Sequence, residues 1–102
     1  MRFMETGIVG AWLIDPTPHE DNRGRFLRTW CANEFSDHGV DFVPVQANMA
    51  FSITKGTVRG MHLQVAPAIE AKLVRCTRGP SSTWFSISGP DRRRTASGTA
   101  RS

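Results

Sequence analysis

A chain of 102 residues has room for one domain, and 39% apolar with 22% charged residues places it among soluble globular sequences. No apolar run approaches the ~20 residues of a membrane span. Met1-Arg2-Phe3-Met4-Glu5-Thr6 has no apolar stretch behind its arginine, so no secretory signal or membrane partner is expected and the expected address is the cytoplasm. The net charge of +4 is placed unevenly: residues 1–79 hold nine Lys/Arg against eight Asp/Glu, residues 80–102 four Arg against one Asp. A near-neutral body gives no reason to expect a nucleic-acid partner. Arg92-Arg93-Arg94 lacks interleaved aromatics, and such runs are usually solvated. Cys31 and Cys76 are too far apart for a metal or redox motif; one long-range bridge is conceivable, but in a reducing compartment both read as buried thiols.

In chain order, the apolar run 8–15 ends at Pro16 and predicts a strand. Pro16, Pro18 and Asp21-Asn22-Arg23-Gly24 are turn chemistry. A strand is expected over Phe26–Trp30, although its alternation is imperfect. Asn33–Gly39 predicts one or two helical turns, with Gly39 as the stop because glycine tolerates the left-handed cap geometry. Residues 42–46 are strand-like, with Pro44 confining them to a sheet edge or a strand start. Further short strands are expected over 51–54, 57–63 and 72–77, punctuated by Gly56, Gly60 and Ala66-Pro67-Ala68. Many short strands with little helix predict an all-β sandwich or barrel. From Pro80 the sequence turns to Ser, Gly, Pro and Arg, with only Trp84, Phe85 and Ile87 to bury, and predicts a disordered basic tail over 80–102.

Three segments carry chemistry in a fixed order: Asp21-Asn22-Arg23-Gly24-Arg25-Phe26; Val45-Gln46-Ala47-Asn48 with Arg59-Gly60-Met61-His62-Leu63-Gln64; and Lys72-Leu73-Val74-Arg75-Cys76-Thr77-Arg78-Gly79. Together they resemble the D-x-R-G-x-F, V-Q-x-N, R-G-[LM]-H-x-Q and K-L-V-R-x-x-x-G elements of the dTDP-4-dehydrorhamnose 3,5-epimerase family. The resemblance covers residues 1–79. It implies the N-terminal portion of a cupin-like jelly-roll barrel, a dTDP-linked 4-keto-6-deoxy sugar as substrate, a homodimer and no cofactor.

Epimerising a carbon beside a ketone needs a base for the adjacent proton, a cation or donor on the enolate oxygen, and an acid to return the proton. Histidine suits the base because its ordinary pKa is near neutrality. His62 follows Gly60, which admits close approach, and Lys72 opens the next expected strand. The resemblance gives His62 the role of base and Lys72 that of enolate stabiliser. By the same resemblance Arg23 and Arg59 hold the diphosphate, for which a guanidinium has matching fork geometry, while Gln46 and Asn48 line the sugar and nucleotide site. Outside this pattern, each of these residues would read as an ordinary structural or surface group, as His19 and His38 do. A metal-dependent oxygenase needs two close histidines, a carboxylate and a later histidine. Only His62, with Glu70 as the nearest carboxylate, is available here, so no metal is expected.

The sequence departs from the family in two ways. Arg28 stands where many members carry an acidic residue, and no tyrosine is present to serve as the family's acid. A truncated product with little activity is therefore expected, with a non-catalytic sugar-nucleotide-binding remnant as the alternative. The tail suggests the cause. Read from the third base of each codon, with suitable silent bases, the chain from Gly79 becomes GAIFDVVLDLRPGSPTYGKWHG, which resembles the family's next strand and loop. Trp84 followed by Phe85 fixes one shifted codon as valine. The expectation is a frameshifted gene product or a sequencing artefact.

Overall fold

The computed structural model describes residues 1–79 in full and residues 81–87 and 94–100 in backbone. Two units result, Met1–Phe42 with Val74–Ser102, and Val43–Leu73. The element order is β1 (Arg2–Glu5), β2 (Trp12–Asp15), β3 (His19–Asp21), β4 (Gly24–Phe26), α1 (Ala32–Asp37), β5 (Ser81–Ile87) and β6 (Arg94–Ala100). Strand therefore dominates the regular structure, as expected, and the strands pair consecutively into three two-stranded sheets.

In the first unit, β1 and β2 are antiparallel, with Phe3 opposite Ile14 and Glu5 opposite Trp12. The strand expected over 8–15 forms only in its second half. Its first half is the turn, where Ile8 is buried and the amide of Ala11 donates to the carbonyl of Ile8 at 3.1 Å. The Thr6 hydroxyl holds the turn together: it donates to the Ala11 carbonyl at 2.8 Å and accepts from the Ile8 amide at 3.1 Å. Threonine suits this position because a short hydroxyl can bond to nearby backbone. β1 itself had no counterpart among the expected elements.

The expected turn at Asp21–Gly24 is correct at its centre, but its flanks are strands. β3 and β4 pair His19 with Phe26 and Asp21 with Gly24, leaving Asn22-Arg23 as a two-residue loop. The strand placed at Phe26–Trp30 is corrected accordingly: only Phe26 is in one, and it ends β4.

The helix forms where expected. Beyond its C-cap His38, Gly39 has φ +71°; the Gly39 amide donates to the Ser36 carbonyl at 2.9 Å and the Val40 amide to the Phe35 carbonyl at 2.9 Å. This pair of bonds is the Schellman closure, which satisfies two carbonyls the helix would leave open. Six residues are too few for a helix to stand by itself, and α1 is held through Phe35. That ring, only 3% exposed, meets Phe3 edge-on at 5.3 Å and also contacts Trp30 and Phe42. The His38 ring stacks on Phe3 with centroids 3.9 Å apart and meets Trp12 edge-on, while its Nδ1 lies 2.7 Å from the Glu34 carbonyl. Aromatic contacts of this kind contribute about 0.5–1.5 kcal/mol each beyond area burial. His38 is therefore part of the packing around Phe3 as well as a surface residue.

Glu34, half-buried on α1, gathers two cations. It accepts from the Met1 α-amine and from Arg28, each at 3.0 Å, and both hold its carboxyl below the usual range. Cys31 and Cys76 are free and half-buried, a correction to the expected buried thiols.

Residues 81–87 and 94–100, where no regular structure was expected, run as an antiparallel hairpin with Ser81 opposite Ala100 and Ile87 opposite Arg94. Thr83, Trp84, Phe85 and Ile87 are residue types that favour strand, a preference that the Ser- and Gly-rich composition obscures. Arg92 and Arg93 lie outside the described residues.

The second unit differs throughout. Residues 43–73 contain no strand or helix, and every one of them is exposed. The strands expected over 42–46, 51–54, 57–63 and 72–77 do not form. A strand needs a hydrogen-bonding neighbour, and none of the described residues supplies one. No helix among the described residues is long and apolar enough to cross a membrane.

Candidate functional site

Five of the six expected site residues, Gln46, Asn48, Arg59, His62 and Lys72, lie in the unit Val43–Leu73; Arg23 lies in the other.

Arg23 occupies the second position of the β3–β4 loop, where local chemistry fixes it. The Asp21 carboxylate accepts the Arg23 backbone amide at 2.9 Å, closing an Asx-type turn. The same carboxylate accepts from Arg23 Nε at 3.1 Å and from its terminal nitrogen at 2.5 Å. The Arg23 side-chain bonds and, next, the backbone bond hold the Asp21 carboxyl below its ordinary range, and Asp21 in turn raises Arg23. The guanidinium is 85% exposed, so a ligand can reach it, but its fork is already occupied by a carboxylate. A phosphate would have to replace one anion with another. The Asp-x-Arg spacing is the sequence signal for this latch.

Arg59 is held by the chain just before it. Its Nε donates to the Ser52 hydroxyl at 3.2 Å and a terminal nitrogen donates to the Phe51 carbonyl at 3.0 Å, closing the loop through Lys55-Gly56. Within that loop the Thr57 hydroxyl and amide both donate to the Thr54 carbonyl. These bonds use part of the guanidinium's five donors and leave others for a second acceptor.

His62 lies close over Gly60. A Cβ placed on Gly60 would meet the His62 ring at 3.5 Å, and Gly60 has φ +121°, a region that side chains rarely adopt. The backbone conformation alone calls for glycine here, because 3.5 Å is an ordinary van der Waals contact that a Cβ could make with the ring. Among the described residues no side-chain hydrogen bond orients the His62 ring.

Lys72 Nζ pairs with Glu70 Oε1 at 3.1 Å, both side chains about half exposed. An exposed pair of this kind contributes about 0–1 kcal/mol, so the ammonium can be recruited elsewhere at small cost. Gln46 and Asn48 are exposed. Among the described residues, no three His, Cys, Asp or Glu side chains gather as a metal set.

The local frames of Arg23 and Arg59 are therefore built, but the unit holding five of the residues has no strand to carry them. Sequence reasoning missed two partners, Asp21 for Arg23 and Glu70 for Lys72. Both are two residues away, and alternation in sign at that spacing was the available signal.

Residues 5–83 match the profile of the dTDP-4-dehydrorhamnose 3,5-epimerase family. The chain is 40% identical over 79 residues to a dTDP-4-dehydrorhamnose 3,5-epimerase of Sinorhizobium fredii, covering 78% of this chain and 40% of the relative. It is 37% identical over 78 residues to one of Methanothermobacter thermautotrophicus, covering 76% of this chain and 41% of the relative. It is 39% identical over 80 residues to a dTDP-4-dehydrorhamnose 3-epimerase of Streptomyces niveus, covering 78% and 38%. The chain spans about two fifths of the length of these curated relatives. No solved structure gives a significant match. With its motifs and more than half its length inside the matched region, the chain belongs to the dTDP-4-dehydrorhamnose 3,5-epimerase family.

Proposed function

We propose that these residues are the N-terminal part of an epimerase that exchanges protons beside the ketone of a dTDP-linked 4-keto-6-deoxy sugar. The observation that carries this reading is the family match over residues 5–83; the motif resemblance gives His62 the role of base and Lys72 that of enolate stabiliser. In the reaction His62 takes the proton next to the carbonyl, and the Lys72 ammonium leaves Glu70 to steady the charge that forms on oxygen. Arg59 and Arg23 bind the diphosphate, Arg23 after releasing Asp21. Gln46 and Asn48 contact the sugar and nucleotide. No cofactor enters, because the ketone itself acidifies the adjacent carbon. The cupin-like barrel, the homodimer and the cytoplasmic address are parts of the same proposal.

We propose further that these 102 residues by themselves turn over little, because they include no tyrosine to return the proton. The proposed cause is a frameshift near codon 79. Sequencing the gene through that codon tests this directly: an alternative frame with early stops, or without apolar alternation, rules it out.

Deuterium uptake from solvent into the 4-keto sugar, followed by NMR, tests the function. The chain as it stands is expected to give negligible uptake. The frame-restored protein should give rapid uptake that His62→Asn abolishes and Lys72→Ala lowers about 10²–10³-fold, the usual size of a lost oxyanion donor. Uptake that survives His62→Asn overturns the assignment of the base. A second reading, a binding remnant without catalysis, is favoured by the absence of tyrosine alongside two locally ordered arginines. Measurable affinity for dTDP without proton exchange would select it.

A further inference from the structure

The three cations among the candidate-site residues are held differently. Arg23 is paired with Asp21 and Lys72 with Glu70, whereas among the described residues Arg59 has no carboxylate partner. Its two bonds go to neutral oxygens, the Ser52 hydroxyl and the Phe51 carbonyl. Neutral acceptors orient a guanidinium without offsetting its charge, so an anion arriving at Arg59 displaces no other.

The nitrogens used in those bonds set the direction of the rest. Nε and Nη2 share one edge of the planar group, and that edge is turned onto Ser52, at 3.2 Å, and Phe51, at 3.0 Å. Three N–H donors remain, two on Nη1 and one on Nη2, and among the described residues nothing engages them. Together they form the end edge, and one such edge is enough for a fork on two phosphate oxygens. The chain that presents it is short. The Thr57 amide and hydroxyl donate to the Thr54 carbonyl at 3.3 and 2.7 Å, and Gly56 has φ +81°, the left-handed conformation that suits glycine at the third position of such a turn. This turn reverses the chain and returns Arg59 to Phe51 and Ser52, a closure over few residues at small entropic cost.

We infer that Ser52 is a positioning residue: by accepting from Nε it aims the end edge of Arg59 outward, where that edge binds the diphosphate. Ser52 itself touches no reacting atom. The inference rests on the proposed role of Arg59 and adds the residue that orients it.

Titration of the full chain with inorganic pyrophosphate, followed by NMR at the arginine side-chain nitrogens, tests this. Before addition, Ser52→Ala should move the Arg59 Nε resonance, and Ser52→Thr, which keeps the hydroxyl, should leave it in place. On addition, the wild-type Nη signals should shift more than Nε. Ser52→Ala should weaken pyrophosphate binding about threefold to tenfold, and Ser52→Thr should bind like the wild type. In an Arg59→Ala background Ser52→Ala should have no further effect, the coupling expected of a residue that acts through another. An Nε resonance indifferent to Ser52→Ala, a further loss in the Arg59→Ala background, or weakening by Arg59→Ala but not by Ser52→Ala overturns the inference and leaves Arg59 at the diphosphate. Pyrophosphate that fails to bind, or that binds Arg59→Ala as well as the wild type, overturns the role of Arg59 and the inference with it.

Discussion

Residues 1–42 and residues 43–73 follow the same chemistry to opposite ends. The first stretch folds on contacts made within itself: two tight hairpins, a capped helical turn and an aromatic cluster around Phe35. The second carries most of the candidate site and has neither strand nor helix. It is not poorer in strand-forming residues, since Val43, Val45, Phe51, Ile53 and Val58 are all of that kind. The difference is where the partner lies. In the first stretch every paired strand finds its neighbour within about ten residues along the chain, and short loops close at small entropic cost. In the second, a strand must wait for a distant segment or another molecule.

The largest test of that contrast is Phe35→Ala. Phe35 is the buried meeting point of Phe3, Trp30 and Phe42. Its truncation should cost about 3–5 kcal/mol, the range for a large aromatic removed from a core. Near-UV circular dichroism should lose the tryptophan signal of Trp12 and Trp30. Retained bands would mean that the cluster does not hold the first stretch.

Next in size is Gly39→Ala. With φ +71° and nothing near enough to obstruct a side chain, the cost is the backbone conformation alone, about 1–2 kcal/mol. It should appear as a lower denaturant midpoint of tryptophan fluorescence. An unchanged midpoint would show that the helix does not depend on its Schellman closure.

The smallest effect concerns Asp21 and Arg23. The Asp21 carboxyl is held below its ordinary range by Arg23, so any stabilisation of the loop is fully present above that range and is lost as pH falls through the depressed value. Both side chains are exposed, so the unfolding midpoint should hardly move. An NMR titration should show the Arg23 Nε resonance shifting together with the Asp21 carboxyl, below the ordinary aspartate range. In Asp21→Asn the shift should vanish and affinity for dTDP should rise if Arg23 binds the diphosphate. Unaltered affinity would remove Arg23 from the site.

The same contrast explains what could be read from the sequence. α1 and its stop at Gly39 were legible because a helix end is written in adjacent residues. The Asn22-Arg23 loop was legible for the same reason, although its flanking β3 and β4 were hidden beneath turn-forming residues. β1 was missed because Arg2–Glu5 declares itself only by pairing with β2. His38 could not be recognised as a packing residue from its polar neighbours, since Phe3 is 35 positions away. In the site, the motifs named the residues, and Gly60 marked a backbone position with φ +121°. The strands expected to carry His62 and Lys72 were read from composition alone, which states a preference for strand without supplying a partner.

Hydrogen exchange on the dilute chain, resolved by residue, tests the contrast most directly. Amides of β1, β2 and the Gly39–Val40 closure should be protected, while those of residues 43–65 exchange at the rate of an unstructured peptide. Equal protection across the two stretches would contradict it, by showing that the site segment finds a partner strand within a single copy.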